Sequence, residues 1–316
     1  MKQQTLTSFE KFGKTTRRAQ FLLDMDQIMP WPELAAAVQT VYPKISDNGG
    51  RPPIPVERML RIYFLQLWFN LSDPAVEEAL YDSLAMRSFA GIDLGVESVP
   101  DETTVCKFRH LLERHKLGKT LLTAVNGHLH RSGIKIARGT IVDATIIGAP
   151  SSTKNKAGAR DPEMHQTAKG RQWYFGMKAH VGVDSKTKLV HTVLASAANV
   201  DDRDALPYLL HGRERRVWGD QGYQGQTAVI HERAPKAKDF TNRRYRFHGQ
   251  VNELEKAKNR NKSRVRAKVE HVFGVIKNLF GFRKVRYRGL AKNLHRLEVT
   301  AALANLYLVR RQLLVT

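Results

Sequence analysis

A single cysteine, Cys106, stands in 316 residues, so the chain has neither a disulfide framework nor the thiolates of a cysteine-based zinc site. Long apolar runs are also missing. No stretch approaches the ~20 apolar residues that span a bilayer, and the opening MKQQTLTSFEKFGKTTRRAQ has no apolar signal core. The expectation is a soluble protein of the reducing cytoplasm. Acidic residues are scarce as well: 30 Asp and Glu face 52 Lys and Arg, which leaves a formal charge of +22.

That excess is too large to be hidden in salt bridges, so a polyanionic partner is expected, and nucleic acid fits best. A merely basic soluble protein is the alternative. Apolar residues make up 42% of the chain, enough for a real core in one large or two moderate domains.

Periodic apolar positions in FLLDMDQIM, WPELAAAVQTVY and VERMLRIYFLQLWFNL make residues 16 to 134 mostly helical. Asn48-Gly49-Gly50 with Pro52, Pro53 and Pro55 predicts a loop; Ser72-Asp73-Pro74 and Pro100-Asp101-Glu102-Thr103 predict helix starts. The helices of TTVCKFRHLLERH and KLGKTLLTAVNGHLHRSG form either a helix-turn-helix that reads a major groove or simply packed helices. From residue 139 the pattern turns to strands: GTIVDATII, QWYFGMKAHVGVD, KLVHTVLASA, then a helix over DALPYLLHG, a buried strand RRVWGD and a weaker one in AKDFTNR. Helices follow from about Asn252. This order predicts a mixed α/β sheet with helices packed on it. Residues 148 to 172 read as one long polar, basic loop.

Three acids lie beside apolar segments that would otherwise be buried: Asp143 within GTIVDATII, Asp220 before the turn QGYQG, and Glu270 within SRVRAKVEHVFGVIK. Phosphodiester chemistry needs an activated attacking oxygen and a neutralised leaving oxygen, and two divalent ions about 4 Å apart supply both. Hard ions take carboxylate oxygens from a sparse set of acids. On a helical wheel Arg266 and Lys277 share the face of Glu270, at the border of the apolar stripe. They are placed there to hold phosphates or merely to pair with Glu270 on a solvated helix. Asp201, Asp202 and Asp204 fit helix capping. His180 and His191 serve near the metals or structurally, Lys178 and Trp173 are candidate DNA contacts, and His128 and His130 lack zinc-site spacing. The glycines of GDQGYQG fit a tight turn after Asp220 rather than a dinucleotide fingerprint.

As a set, GTIVDATIIGAPSSTKNK, RDPEMHQTAKGRQWYFGMKAHVGVD, VWGDQGYQG and RAKVEHVFGVIK resemble the DDE-type insertion-sequence transposases of the insertion-sequence-five family. The likeness extends to PVERMLRIYFLQLWFNLSDPAVEEALYDSLAMRSFAG and DETTVCKFRHLLE near the N-terminus. The family's helix signature falls on Arg266, Glu270 and Lys277, with Ser263 where the family has Tyr.

The resemblance implies a ribonuclease-H-like catalytic core over 137–316, with no large insertion between Asp220 and Glu270. It also implies a helical DNA-binding and assembly region over 1–136. Two Mg²⁺ ions, with Mn²⁺ as substitute, would be held by Asp143, Asp220 and Glu270, while Arg266, Lys277, Lys178 and Trp173 contact DNA. The partners implied are double-stranded DNA, as terminal inverted repeats and target, and a second copy of the chain in a homodimer or larger assembly. The setting implied is the nucleoid of a bacterium. A nuclease without strand transfer and a catalytically silent DNA-binding protein are the alternatives.

Overall fold

Helix starts in the first third are set by side-chain caps. In a computed structural model that describes residues 14–44, 52–156 and 158–315, Thr16, Ser72, Ser83 and Asp101 each accept a backbone amide at the head of a helix. The helices are α1 (Arg17–Ile28), α2 (Trp31–Gln39), α3 (Val56–Phe69), α4 (Asp73–Asp82), α5 (Leu84–Ala90), α6 (Glu102–Arg114) and α7 (Leu117–Arg131). Both expected starts, at Ser72 and Asp101, are present. The loop expected at Asn48 to Gly50 lies outside the described residues. Helix α3 is buried nearly all round, through Met59, Leu60, Tyr63, Phe64, Leu67 and Trp68, and so forms the centre of the bundle.

The strands that follow are β1 (Gly139–Gly148), β2 (His165–Lys169), β3 (Gln172–Asp184), β4 (Val190–Ala197), β5 (Arg216–Trp218) and β6 (Lys238–Asp239). They form one six-stranded sheet. β3 runs antiparallel to β1, and its outer edge is shared: β2 pairs with Gln172–Gly176 and β4 with the residues from Met177 to Val183. On the other side β5 is parallel to β1 and β6 parallel to β5. The connections into those parallel strands carry α8 (Asp202–Leu209) and α9 (Thr227–Arg233). This is the expected mixed α/β sheet with helices packed on it.

One expectation needs correction. Residues 165–169, inside the predicted long loop, are strand β2. It is polar and exposed on both faces, so it carries no apolar alternation, and backbone pairing with β3 holds it.

The two faces of the sheet are covered differently. On one, Val142 and Val217 pack with Leu206, Leu209, Tyr223 and Ile230 of the α8–α9 layer. On the other, Ile141, Ile147, Met177 and Val181 join a core that runs without a break into the helical bundle. That face is covered by α10 (Glu253–Arg266), α11 (Val269–Phe273), a π-turn (Gly274–Leu279) and α12 (Leu290–Leu313). A small hairpin, β7 (Arg246–Phe247) with β8 (Gln250–Val251), precedes α10; its turn residues His248 and Gly249 both have positive φ, the signature of a primed hairpin turn.

Helix α12 joins the halves, packing on α7 and on β4. Asn305 donates to Val190 O (2.7 Å) on β4 and to Asn126 Oδ1 (2.8 Å) on α7. Helix α2 packs against α7 as well. No described helix is long and apolar enough to cross a membrane.

Candidate active site

Asp143 is the fifth residue of β1, and side chains alternate along a strand, so it shares a face with Ile141 and Thr145. Ile141 lies opposite Trp218 of β5; extending that register by two residues brings Asp220 level with Asp143 and onto the same face. Asp143 is buried. Its Oδ1 accepts from Ala144 N (2.8 Å) and its Oδ2 from Arg266 Nη1 (2.6 Å). Burial pushes its carboxyl up to about 6, against the Arg266 cation and the Ala144 amide, with the negative charge of Asp220 adding to the rise.

The turn after β5 explains its glycines. Asp220 Oδ1 accepts from Gly222 N at 2.8 Å. A β-carbon on Gly222 would stand 2.9 Å from that oxygen, and one on Gly219 would stand 2.9 Å from the Tyr223 ring. Tyr223 lies fully buried beneath. Burial raises its phenol well above the usual range, and Asp202, Asp143 and Asp220 raise it further.

The cations come from the covering segment. Arg266 is the last residue of α10 and reaches Asp143. Lys277, in the π-turn, donates to Thr145 Oγ1 (3.0 Å) and Ile146 O (2.9 Å), so it anchors that turn to β1 next to the acids. Burial lowers its ammonium below the ordinary value; Lys169 and Arg283 lower it further and Glu270 opposes them.

Glu270 is not gathered with the aspartates. It is exposed in α11 and lines a shallow hollow of about 380 Å³ with His271, Gly274, Val275, Leu279 and Tyr307. Among the described residues no group of three or more His, Cys, Asp or Glu is arranged to hold a metal. The wheel that put Arg266, Glu270 and Lys277 on one face does not describe this segment residue by residue. The wheel assumes uniform α-helix, whereas the ladder tightens to i→i−3 bonds at Lys268 and Glu270 and then widens into the π-turn. Ser263, in the family's Tyr position, accepts from Asn242 Nδ2 at 3.0 Å and ties α10 to the segment after β6.

Lys178 and His180 have the opposite parity on β3 and face α8. Lys178 Nζ pairs with Asp202 Oδ1 (2.9 Å) and donates to Val200 O (2.7 Å). His180 Nε2 lies 2.7 Å from Ser196 Oγ, and burial lowers the ring to about 4. His191 lies 3.2 Å from Thr140 Oγ1 and is lowered to about 3, by burial first and then by His211. Asp201 caps α8, accepting from Arg203 N at 2.9 Å. Trp173 is 71% exposed on the β2–β3 hairpin, with the strand parity of Val181 and so of Asp143. Thr145 and Tyr223 carry no chemical signature in the sequence; only the fold identifies them as supports of the site.

Two carboxylates level on adjacent strands, partly desolvated and offset by a single guanidinium, suit a hard divalent cation. Asp220 Oδ2 accepts no hydrogen bond among the described residues and is open to a ligand. A mixed sheet carrying such a pair fits a class of enzyme, the metal-dependent phosphoryl transferases.

Residues 135–306 match the family described as Transposase DDE domain, and residues 10–111 match Transposase domain (DUF772). The chain belongs to the DDE transposases. It is a DNA transposase, a divalent-metal-dependent enzyme that cuts and joins DNA. Among solved structures it is similar to the cryo-EM structure of the piggyBac transposase synaptic complex with hairpin DNA, at 11% identity and a TM-score of 0.47, over 93% of this chain and 75% of that one.

Proposed function

We propose that this transposase binds the terminal inverted repeats of its own mobile element, cuts at their ends and joins the freed 3′-hydroxyl to target DNA. The observation that carries the reading is the Asp143–Asp220 pair, set level by the parallel register of β1 and β5 and electrostatically coupled. Asp143 and Asp220 would hold Mg²⁺, or Mn²⁺ in its place. Glu270 would complete the set for two ions by turning toward the pair from α11. When bound, the metal supplies Lewis-acid activation of the attacking oxygen and charge neutralisation at the leaving oxygen.

The chain's own residues orient the reaction. Arg266 exchanges Asp143 for a DNA phosphate, an exchange that its planar fork of donors suits. Lys277 keeps the end of β1 and the π-turn in register, and offers positive charge beside the strand being cut. Trp173, exposed on the hairpin at the Asp143 face, stacks on DNA bases. Lys178 acts from the far face, holding Asp202 at the head of α8, and reaches DNA only by leaving that partner. In the first displacement water forms the new bond to phosphorus as the bond to the 3′-oxygen breaks; in the second that 3′-hydroxyl bonds to a target phosphorus, losing its proton, as the bond from that phosphorus to the target strand's own 3′-oxygen breaks and the released oxygen takes up a proton. Residues 1–136 serve end binding and assembly, residues 137–316 the chemistry, and a homodimer brings two ends together.

Asp143→Asn tests the assignment. It keeps shape and removes charge, so binding to element ends persists while metal-dependent cutting disappears; cutting by the Asn variant would refute the site. Pre-cleaved ends supplied with a target plasmid and Mg²⁺ yield joined product. Cutting without joining would establish a nuclease instead.

A further inference from the structure

A short arm stands on the turn that carries Asp220. Asn242 N donates to Gly219 O (3.0 Å) and Arg244 N to Gln224 Oε1 (2.8 Å), so the chain is fastened on both sides of that aspartate before it enters the β7–β8 hairpin. The buried Asn259 of α10 holds the other flank, accepting from Arg243 N (3.1 Å) and donating to Arg243 O (2.6 Å). Asn252 N closes the base of the hairpin on Tyr245 O (2.8 Å).

The tip carries an unusual side chain for a solvated turn. Phe247 is 54% exposed, and the Arg244 guanidinium stands 5.2 Å from its ring centroid. Arg243, Arg244 and Arg246 are exposed and make no ion pair among the described residues. The acids on either side in the chain are engaged elsewhere: Asp239 by Thr227 and Thr241, Glu253 by Lys256, and Glu255 by Lys258 and Lys262. An aromatic ring presented among unpaired guanidinium groups suits nucleic acid, the cations meeting phosphate oxygens and the ring a base face.

Reach decides which bases. Asn242 is bonded beside Asp220, and Phe247 follows it by five residues, at most about 17 Å at ~3.3 Å per residue. Successive nucleotides rise ~3.4 Å along a strand, so the ring meets the same duplex within about five base pairs of a phosphate held at Asp220. Base faces inside a paired duplex are covered by their neighbours. An apolar ring gains contact there only by entering a step, which unstacks it and kinks the duplex.

We propose that Phe247 is a wedge that enters a base step beside the cut and opens the duplex there, so that the strand to be cut bends toward Asp143 and Asp220. Arg243, Arg244 and Arg246 hold the flanking phosphates while the step is open. Phe247 is thus a positioning residue, touching bases and not the reacting phosphate. The proposal rests on the transposase reading and on the placement of cutting at the two aspartates.

Aminopurine, a base analogue that brightens when unstacked, tests it. The full chain is bound to duplexes bearing the element's terminal inverted repeat, with the analogue stepped through the base pairs beside the cut and Ca²⁺ in place of Mg²⁺ to keep the strand whole. Wild type is expected to brighten the analogue at the step the ring enters. Phe247→Ala loses that rise, and Phe247→Leu, which keeps an apolar wedge, retains it. With Mg²⁺, Phe247→Ala cuts a fully paired end about tenfold or more slowly, the scale of one unassisted unstacking step. A mismatch placed at the responding step restores most of its rate, a rescue that a merely structural role for Phe247 would not give. The reference is Tyr208→Ala, which removes another exposed aromatic beside a guanidinium, that of Arg233, and keeps both the rise and the rate. No rise in wild type, a full rise in Phe247→Ala, an equal loss in Tyr208→Ala or no rescue by the mismatch overturns the proposal. A wild type that opens the end and does not cut it refutes the placement of catalysis and leaves the wedge standing.

Discussion

Replacing Gly176 by alanine tests whether the meeting point of β1, β2, β3 and β4 is as tight as its backbone indicates. Gly176 pairs with Gly148 on one side and His165 on the other, at the residue where β3 changes its outer partner from β2 to β4. A β-carbon there would stand 2.1 Å from Ile147 O and 3.0 Å from Ala149 N and Gly148 Cα, all of them backbone atoms. Carbon–oxygen contacts settle near ~3.3–3.6 Å, so β1 and β3 would have to part by more than about 1 Å.

No rotamer change relieves a clash with main chain. The cost belongs at the upper end of the ~1–3 kcal/mol typical of overpacking, and the ~0.5–1 kcal/mol that alanine gains over glycine in an ordered element offsets only part of it. A net loss of about 2 kcal/mol is expected, read as a lower urea midpoint. Displacing the end of β1 also moves Thr145 and Ile146, where Lys277 is anchored, so cutting activity should fall in the molecules that remain folded. Gly127→Ala on α7 is the comparison. Its β-carbon would meet only Arg131 Nη1 at 3.6 Å, so the same substitution should stabilise there. A Gly176→Ala protein as stable as wild type would refute the steric reasoning.

Acid should destabilise the fold well above the carboxylate range. Burial lowers His180 and His295 to about 4 and His191 to about 3, so below pH 6.5 the unfolded chain takes up protons that the native state refuses, and stability falls as pH drops from 6.5 toward 4. Glu298, raised to about 7 by burial, works in the opposite sense; Glu298→Gln should therefore steepen the loss in urea titrations run from pH 7 to 5. Arg109→Ala strands Asp73 (2.9 Å) and the largely buried Glu113 (3.0 Å), and should cost about 3–5 kcal/mol in the same assay. Trp173→Ala should change stability by less than about 0.5 kcal/mol while weakening DNA binding by about 1–3 kcal/mol in fluorescence anisotropy, the scale of one stacked base; unchanged affinity would remove Trp173 from the DNA contacts.

The strands and the two aspartates were legible because their signals are local. Asp143 interrupts an apolar run and Asp220 ends one, and parity then fixes the face of each. Strand β2 escaped because its support is backbone pairing with β3, which leaves no trace in a polar segment exposed on both faces. The surroundings of Glu270 escaped because the tightened turn at Ala267 and Lys268 and the π-turn have no propensity signature strong enough to override an apparently continuous helical stripe. Arg266 illustrates the remainder: its cationic type was readable, but its partner lies 123 residues away and is chosen by the fold.

Helix α12 also bears on how the chain acquires its shape. It supplies apolar surface to the bundle through α7 and to the sheet through β4, across separations such as the 179 residues from Asn126 to Asn305 and the 115 from Val190 to Asn305. Neither half can close its facing side until residues 290–313 have been synthesised. The nascent bundle and sheet therefore share a waiting period with apolar faces uncovered, when aggregation competes with folding. Fragments divided near residue 136 would carry that exposure permanently: assigning reading and cutting to different stretches of sequence does not make those stretches separate folding units.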